Sequence, residues 1–201
     1  MKRVILLLAT LFLASGVAQA APSTSATALA KETSEQMLQV LEERRDEIER
    51  RPQLIYQLVD KIVLPHFDFE RITRTAVGRY WREASTAQRR ALTEGFREVL
   101  VRTYARALLS YSGETIHYLP ERKLADDRVT VSTEVRNPGG ATIRIDYRLY
   151  ATDGTWKVYD VIVDNVSLVA NYRGTFANII RSSGIDGLID RLGEMNAAGE
   201  E

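Results

Sequence analysis

The stretch that decides the arrangement of the chain is WKVYDVIVDNVSLVANYR, residues 156–173. Its first half has apolar side chains at both alternating sets of positions, which predicts a strand covered on both faces. Asp164 and Asn165 then predict a turn, and Ser167 is a residue that commonly caps an amphipathic helix. Because a strand covered on both faces lies inside a fold, the remaining elements are placed around this one.

The first twenty residues have the pattern of a secretory signal peptide. Lys2 and Arg3 precede the apolar run VILLLATLFLA, and the small-residue sequence Ala18-Gln19-Ala20 follows it. This run is too short to cross roughly 30 Å of hydrocarbon, so an uncleaved anchor is the less favoured alternative. We predict cleavage after Ala20 and export from the cytoplasm. No other stretch is a transmembrane candidate, so we expect a protein that is not membrane-embedded.

The charge balance argues against nucleic acid as a partner, and the absence of cysteine excludes disulfide bonds. The chain has 27 basic and 27 acidic residues, and removal of Lys2 and Arg3 leaves a mature net charge of −2. This balance argues against nucleic acid as a partner. The sequence has no cysteine, so stability has to come from the hydrophobic core and not from disulfides. We expect a soluble monomer.

The first half of the mature chain is predicted to be helical. Residues 31–50 have apolar side chains at helical spacing and end before Pro52, and residues 21–30 form a small-residue tail. A second helix covers residues 54–62, and Asp68 caps a third that ends at Gly78. The longest helix follows a capping box at Ser85 and extends to Gly113. Its broad apolar stripe includes Phe96, Val99, Leu100, Tyr104 and Leu108.

After Gly113 the hydrophobic period changes from helical to alternating, which predicts strands at 115–119, 128–136, 141–151 and 156–163. A three-residue loop, Pro138-Gly139-Gly140, brings all apolar side chains of the first hairpin to one face. The resulting pairs are Val135 with Ile143, Thr133 with Ile145, Val131 with Tyr147 and Val129 with Leu149.

The hairpin at Asp153-Gly154 has two possible registers. A two-residue turn would put Asp160 on the face of Tyr147, whereas a three-residue turn would put Tyr159, Val161 and Val163 there. Because an unpaired buried carboxylate costs several kcal/mol, we favour the three-residue turn.

The predicted fold is therefore α+β, with a curved four-stranded antiparallel meander and helices packed on one face. A C-terminal helix starts at Leu168 and stops at Gly184, and a short one covers residues 185–192. We expect residues 21–112, a helical region, and residues 113–201, the sheet with the C-terminal helices, to form one compact domain after the signal peptide of residues 1–20.

Catalytic motifs are nearly absent from the sequence. Its two histidines, His66 and His117, lie in a turn and on an exposed strand position, and no nucleophile elbow, zinc motif or phosphate-binding loop is present. Asp146, Asp160 and Asp164 are the candidate general bases of an alternative interpretation, a small periplasmic enzyme with an acidic base in a cone-shaped pocket. We expect no catalytic residue, no metal and no cofactor.

The mature chain resembles the MlaC family of periplasmic phospholipid-binding proteins, also called toluene-tolerance auxiliary proteins. The resemblance rests on GRYWR at 78–82, STAQR at 85–89 and TYA at 103–105, and most of all on residues 156–173 followed by GIDGLIDRL at 184–192. One departure is Asn165, where the family resemblance leads us to expect Gly; Asn also tolerates a left-handed turn.

This resemblance implies a fold related to the nuclear transport factor two type and a hydrophobic cavity for phospholipid acyl chains. It also implies a shuttle between an outer-membrane lipoprotein complex and an inner-membrane lipid transporter with its substrate-binding subunit, which maintains outer-membrane lipid asymmetry. A ligand-free adaptor between the two complexes is a further alternative. The arginines Arg79, Arg82, Arg144 and Arg148 are candidates for the mouth of the cavity or a docking surface. The expected lipid-binding residues are Phe96, Val99, Leu100, Tyr104, Leu108, Val131, Ile143, Ile145, Tyr147, Leu149, Val161, Val163, Val166, Tyr172 and Phe176.

Overall fold

The computed structural model describes residue 22 and residues 24–198. The expected signal peptide at residues 1–20 lies outside the described residues. Within them the chain is helical up to Ser110, then forms a sheet, and ends in a kinked helix. The helices are α1 (Ala26–Glu43), α2 (Arg45–Arg50), α3 (Leu54–Ile62), α4 (Phe69–Val77), α5 (Thr86–Ala105) and α6 (Leu168–Ala198), with short 3-10 segments at Leu64–His66, Gly78–Arg82 and Arg106–Ser110.

The predicted helix caps are confirmed. The Asp68 carboxylate accepts a hydrogen bond from the Arg71 amide at 2.8 Å, and Ser85 forms a reciprocal capping box with Gln88. The Ser167 hydroxyl accepts from the Ala170 amide at 3.0 Å. These side chains satisfy amide groups that a helix leaves without intrahelical partners.

Several helix boundaries differ from the prediction. Helix α5 does not extend to Gly113 but ends at Ala105, where the 3-10 segment Arg106–Ser110 begins, and α6 continues past residue 192 to Ala198. Helix α1 starts at Ala26 and not at residue 31, because the Ser25 hydroxyl accepts from the Ala28 amide at 3.0 Å and starts the helix inside the expected tail. The helix also ends at Glu43, since Arg44 leaves the helical conformation (φ −111°, ψ 19°) and α2 begins after it. At the other end of the chain Gly184 (φ 74°, ψ −177°) kinks α6 at the predicted stop.

The sheet has six antiparallel strands and not four. They are β1 (Thr115–Tyr118), β2 (Arg122–Ala125), β3 (Arg128–Arg136), β4 (Thr142–Thr152), β5 (Thr155–Val163) and β6 (Val166–Ser167), in the order β1-β3-β4-β5-β6 with β2 also paired to β3. The prediction missed β2 and β6 because they are only four and two residues long and carry no extended alternation. The α+β class with an antiparallel sheet and helices is confirmed.

The first hairpin has the predicted register. Val135 lies opposite Ile143, Thr133 opposite Ile145, Val131 opposite Tyr147 and Val129 opposite Leu149. The loop is the three-residue one, since the Asn137 amide donates to the Ala141 carbonyl at 3.0 Å.

The second hairpin combines features of both registers. Its turn has two residues, Asp153 and Gly154, both with positive φ (49° and 72°), so the expected three-residue turn is wrong. A β-bulge at Tyr159 then shifts the pairing, so that Val161 lies opposite Tyr147 and Val163 opposite Ile145, as expected. Tyr159 itself packs on Tyr150, on the opposite face, with ring centroids 6.0 Å apart.

Three hydrophobic clusters hold these elements together. One joins α4, α5 and α6 around Phe96 and Phe176, and a second joins α1, α2 and α3 to Ala105 at the end of α5. The third lies on the sheet, where Val131 and Leu149 pack with Ala26 of α1. The fully buried residues of the sheet therefore lie under the start of α1, while those of α5 lie against α4 and α6.

Candidate functional site

One surface of the sheet is almost entirely apolar, and we call it the apolar face. Strand pairing puts its members on the same side of β1, β3, β4, β5 and β6, and the only hydroxyl-bearing aliphatic side chain among them is Thr133. The apolar face comprises Ile116, Tyr118, Val129, Val131, Thr133, Val135, Ile143, Ile145, Tyr147, Leu149, Trp156, Val158, Val161, Val163 and Val166.

The apolar face is closed at one end. Val131 and Leu149 are 0% and 1% exposed, and they pack with Ala26 and with the half-buried Phe67. Small side chains at the start of α1 allow this helix to approach the sheet closely. Two hydrogen bonds fix the helix and the residues before it there, one between the hydroxyls of Tyr118 and Ser34 and one from the Trp156 indole to the Thr24 carbonyl at 2.9 Å.

The other end of the apolar face is open. Ile143 is 37% exposed and Val166 is 56% exposed, and Ile145 and Val163 between them are only half-buried. These four side chains are brought together by the pairs Ile145–Val163 and Val163–Val166. Large exposed apolar residues in a contiguous set commonly mark a binding surface.

The helical part of the expected lining divides into two groups. Phe96, Val99 and Phe176 are buried in the cluster of α4, α5 and α6, with the ring of Phe96 4.9 Å from that of Phe176. Leu100 and Leu108 are half-buried, and Leu108 packs against the cluster of α1, α2 and α3. The first three residues are therefore core residues, which the periodicity of α5 alone did not distinguish from a lining.

Tyr104 and Tyr172 form the part of the helical layer that is open to solvent. Tyr104 is 38% exposed, and the ring of Tyr172 lies edge-on to Phe96 at 4.8 Å. Burial raises the pKa of both phenols, and the nearby Tyr172 adds to the rise for Tyr104. Tyr172 lies in α6 six residues after Val166, so this helix connects the open end of the apolar face to the helical layer.

Tyr147 carries a hydroxyl group on the apolar face. Burial raises its pKa to about 12, and the neighbouring Thr133 hydroxyl opposes that rise. Thr133 donates to the Ile145 carbonyl at 3.1 Å. The phenol is therefore neutral at physiological pH, so the apolar face carries no charge there.

Among the half-buried residues of this surface that sequence reasoning did not include are Ile116, Tyr118 and Val135. They lie on the apolar face because Ile116 pairs with Val135 and Tyr118 with Thr133. The sequence did show that Ile116 and Tyr118 lie on the same face of a short strand. It did not show which strand pairs with this one, so the face could not be assigned to the lining.

The candidate bases on the opposite face of the sheet are engaged in structural contacts. Asp160 is 6% exposed, pairs with Arg148 at 3.2 Å and accepts the Ser167 hydroxyl at 2.9 Å. Asp146 pairs with Arg144 at 3.1 Å, and Asp164 accepts from the Arg144 amide at 3.2 Å. Arg144 and Arg148 are thus neutralised by neighbouring carboxylates.

A separate open groove of about 1150 Å³ lies between α3 and α5. An ion pair between Asp60 and Arg97 borders it, and the Arg106 guanidinium donates to the Tyr56 hydroxyl at 3.3 Å. These charges make the groove a poor environment for hydrocarbon. In the described part of the chain no helix is sufficiently long and apolar to traverse a bilayer.

Comparison with known proteins identifies the family. Residues 31–194 match the family model described as MlaC protein. The chain belongs to the MlaC family. Among curated members, it is 24% identical over 173 residues to the intermembrane phospholipid transport system binding protein MlaC of Haemophilus influenzae, covering 84% of this chain and 81% of that protein. It is 27% identical over 155 residues to the toluene tolerance protein ttg2D of Pseudomonas putida, covering 77% and 72% of the two chains.

A solved structure of a phospholipid-binding protein shares the fold. The phospholipid-binding protein from Ralstonia solanacearum, determined in complex with a phospholipid, superposes with a TM-score of 0.82 at 34% identity. The match covers 89% of this chain and all of the other. The fold expected from the MlaC resemblance is therefore confirmed.

Proposed function

We propose that this protein is a soluble periplasmic phospholipid carrier that encloses acyl chains between the open end of the apolar face and the helical layer. The observation that carries the proposal is the uncovered apolar surface around Ile143, Ile145, Val163 and Val166, in a fold shared with a phospholipid-bound relative. The name of the Haemophilus influenzae relative, a binding protein of an intermembrane phospholipid transport system, supports it further.

Shelter for the acyl chains is the physical requirement for such a carrier. Two acyl chains expose about thirty methylenes, each worth about 0.8 kcal/mol when removed from water. Unassisted transfer of a phospholipid through an aqueous compartment is therefore strongly unfavourable. Relative to a bilayer an apolar cavity is nearly isoenergetic, so burial of the tails does not set a direction of transport.

The residues of the lining take different roles in this proposal. Val131 and Leu149 form the closed floor beneath α1, and Tyr147, Ile145, Val161 and Val163 form the sheet wall. Leu100, Tyr104, Leu108 and Tyr172 form the helical wall, supported from behind by the buried Phe96, Val99 and Phe176. Ile143 and Val166 lie at the mouth.

We further propose that the protein shuttles phospholipid between an outer-membrane lipoprotein complex and an inner-membrane transporter, and thereby helps to maintain outer-membrane lipid asymmetry. Because the acyl chains have nearly the same free energy in the cavity and in a bilayer, those two partners set the direction of transfer. The head group remains in water, so this role calls for no metal, cofactor or catalytic residue. The naming of the relatives as binding and transport proteins supports a carrier and not an enzyme.

The experiment that tests this function is native mass spectrometry of the full mature protein, purified from a bacterial host without detergent. We expect the wild type to carry one diacyl phospholipid per chain. Val166→Glu places a charge at the mouth, and because Val166 is 56% exposed the fold should tolerate it. We therefore expect this variant to fold, as judged by circular dichroism, and to lose most of its lipid.

The matched control is Leu124→Glu, at a residue of β2 that is 43% exposed and lies outside the proposed lining. It should retain lipid as the wild type does. A wild-type spectrum with bare polypeptide only would contradict the carrier function. A folded Val166→Glu variant with a full lipid load would instead contradict the position of the mouth.

A further inference from the structure

Several arginines on one side of α4 and α6 lack carboxylate partners. About half of the basic residues in the described chain form ion pairs, as Arg144 does with Asp146 and Arg148 with Asp160. A second group contains five exposed arginines without an ion pair to any described residue. These are Arg74, Arg79, Arg82, Arg173 and Arg181.

Three of these arginines converge on the segment Gly78–Arg82. The Arg79 guanidinium donates to the Tyr80 hydroxyl at 2.9 Å and lies 4.9 Å from the centre of the Tyr80 ring. A side chain at Gly78 would lie 3.5 Å from Nε of Arg173. Hydrogen bonds from Arg79 and, more weakly, from Arg181 lower the pKa of Tyr80, which puts Arg181 beside the same hydroxyl. We call Arg79, Tyr80, Arg173 and Arg181 the arginine cluster.

The helical spacing of α6 explains why Arg173 and Arg181 share a surface. They are separated by eight residues, which is slightly more than two turns, so both lie on the same side of the helix about 12 Å apart. Ala177 between them is small and leaves both guanidinium groups unobstructed. Tyr80 lies beside this side of the helix, and its hydroxyl accepts a hydrogen bond from Arg79.

The charge of the arginine cluster is offset only in part by the described residues around it. Glu83 is the acidic group that acts on Arg79, and Arg181 donates to the neutral Asn178 amide. Arg74 and Arg82 flank the cluster in sequence on the α4 side. A protein whose charges nearly balance overall therefore has one strongly basic surface, which attracts polyanions and is screened by salt.

We propose that the arginine cluster is a docking surface for an anionic phospholipid bilayer. A guanidinium group can donate two parallel hydrogen bonds to the oxygens of one phosphate. Each basic residue close to an anionic bilayer adds to the favourable free energy of binding. The proposal rests on the carrier function, because that function brings the protein to membrane surfaces. Docking of this kind is reversible, as a carrier that leaves the membrane requires.

The composition of the surface favours a lipid partner over a protein partner. Protein interfaces have an apolar centre with aromatic anchors, surrounded by a polar rim. The large exposed apolar residues of the described chain are Tyr104, Leu109, Leu124, Ile143 and Val166, and none belongs to the arginine cluster. Its one aromatic side chain, Tyr80, is half-buried against the helical core. A charged surface without an exposed apolar centre can bind a partner through its phosphate groups alone, as at the surface of an anionic bilayer.

The test is sedimentation of the full mature protein with sucrose-loaded vesicles of phosphatidylglycerol and phosphatidylcholine in equal amounts. Vesicles of phosphatidylcholine alone serve as the neutral comparison. We expect binding to the anionic vesicles only, and its loss when ionic strength rises from about 0.05 to about 0.5 M. The triple variant Arg79→Glu, Arg173→Glu and Arg181→Glu should bind them about 100-fold more weakly.

A matched triple variant controls for net charge. This control combines three substitutions, Arg45→Glu, Arg50→Glu and Arg122→Glu. It changes the same number of charges, at exposed arginines that also lack an ion pair to a described residue. We expect this control to bind within about threefold of the wild type. Equal losses in both triple variants would overturn the proposal, since the attraction would then depend on net charge alone.

Two further outcomes separate this proposal from the carrier function. A wild type that does not bind anionic vesicles overturns the docking surface and leaves an acidic protein as the partner to examine. Native mass spectrometry of the same samples reports the lipid load independently. If the cluster variant carries lipid as the wild type does but loses vesicle binding, both proposals are supported by separate measurements.

Discussion

Asp160 shows how one buried carboxylate can join a sheet to a helix. It pairs with Arg148 on β4, and it accepts the hydroxyl of Ser167, which caps α6. The sequence pattern suggested that this aspartate would avoid the interior, because no partner for it was visible. The structure buries it with a partner on the neighbouring strand, and the bulge at Tyr159 turns it away from the apolar face.

Removal of this carboxylate should be costly. We expect Asp160→Ala to lower the free energy of unfolding by about 2 to 3 kcal/mol, because Arg148 and Ser167 lose their shared acceptor. Urea denaturation measures this directly. The control Glu94→Ala removes an exposed carboxylate that pairs with Arg90 at 3.5 Å, and it should change stability by less than about 0.5 kcal/mol. Equal effects of the two substitutions would mean that the buried contacts contribute nothing.

Tyr147 should give the protein an alkaline limit to its stability. Its pKa is raised to about 12 in the folded protein, compared with about 10 in an unfolded chain. Below pH 10 both states hold the proton and stability is independent of it. Between these values the unfolded chain loses the proton first, so stability falls as pH rises.

The variant Tyr147→Phe has no such proton to lose. Between about pH 8 and about pH 10.5, its free energy of unfolding should improve relative to the wild type by about 1 kcal/mol. Paired urea titrations at the two pH values measure this difference. A difference between the proteins that is the same at both pH values would show that the Tyr147 hydroxyl is not buried in the folded state.

At the level of elements, the kink in α6 depends on one glycine. Gly184 has φ 74° and ψ −177°, a conformation that is essentially restricted to glycine. Gly193 lies in the second part of the same helix, without a positive φ and with open space where a Cβ would be. The two positions therefore respond in opposite ways to the same substitution.

We expect Gly184→Ala to lower the free energy of unfolding by about 1 to 3 kcal/mol, because alanine is strained in this conformation. Gly193→Ala should raise it by about 0.5 to 1 kcal/mol, since alanine is the better helix former. Thermal denaturation of both variants tests the pair. If both stabilise the protein, α6 is continuous and the kink is absent.

The two hairpins show how far the sequence determines strand register. In the first hairpin each strand has one apolar and one polar face, so a single register buries all apolar residues. Strand β5 is apolar on both faces, and Tyr159, Val161 and Val158 fit either side equally well. In the structure a β-bulge at Tyr159 determines which side chains lie on each face. The alternation of apolar and polar residues in the sequence does not reveal where such a bulge occurs.

At the level of the whole molecule, the fold class was predictable but the open surface was not. Periodicity located the helices and the longer strands, and the family resemblance supplied the expectation of a lipid site. Whether a sheet residue is covered depends on where α1 lies, and Ala26 and Ala30 at its start were assigned to a tail. Phe96 and Ile143 were equally good lining candidates in the sequence, yet one is in the core and the other is at the surface.

The central claim is that acyl chains lie against the open end of the apolar face. The most direct measurement is methyl NMR of the mature protein loaded with a phospholipid that has a nitroxide spin label on one acyl chain. The account predicts strong broadening of the methyl signals of Ile145, Val163 and Val166, and much weaker effects on Leu188 and Leu192 in the helical core. Signals of the apolar face that stay sharp, while Leu188 and Leu192 broaden, would contradict it.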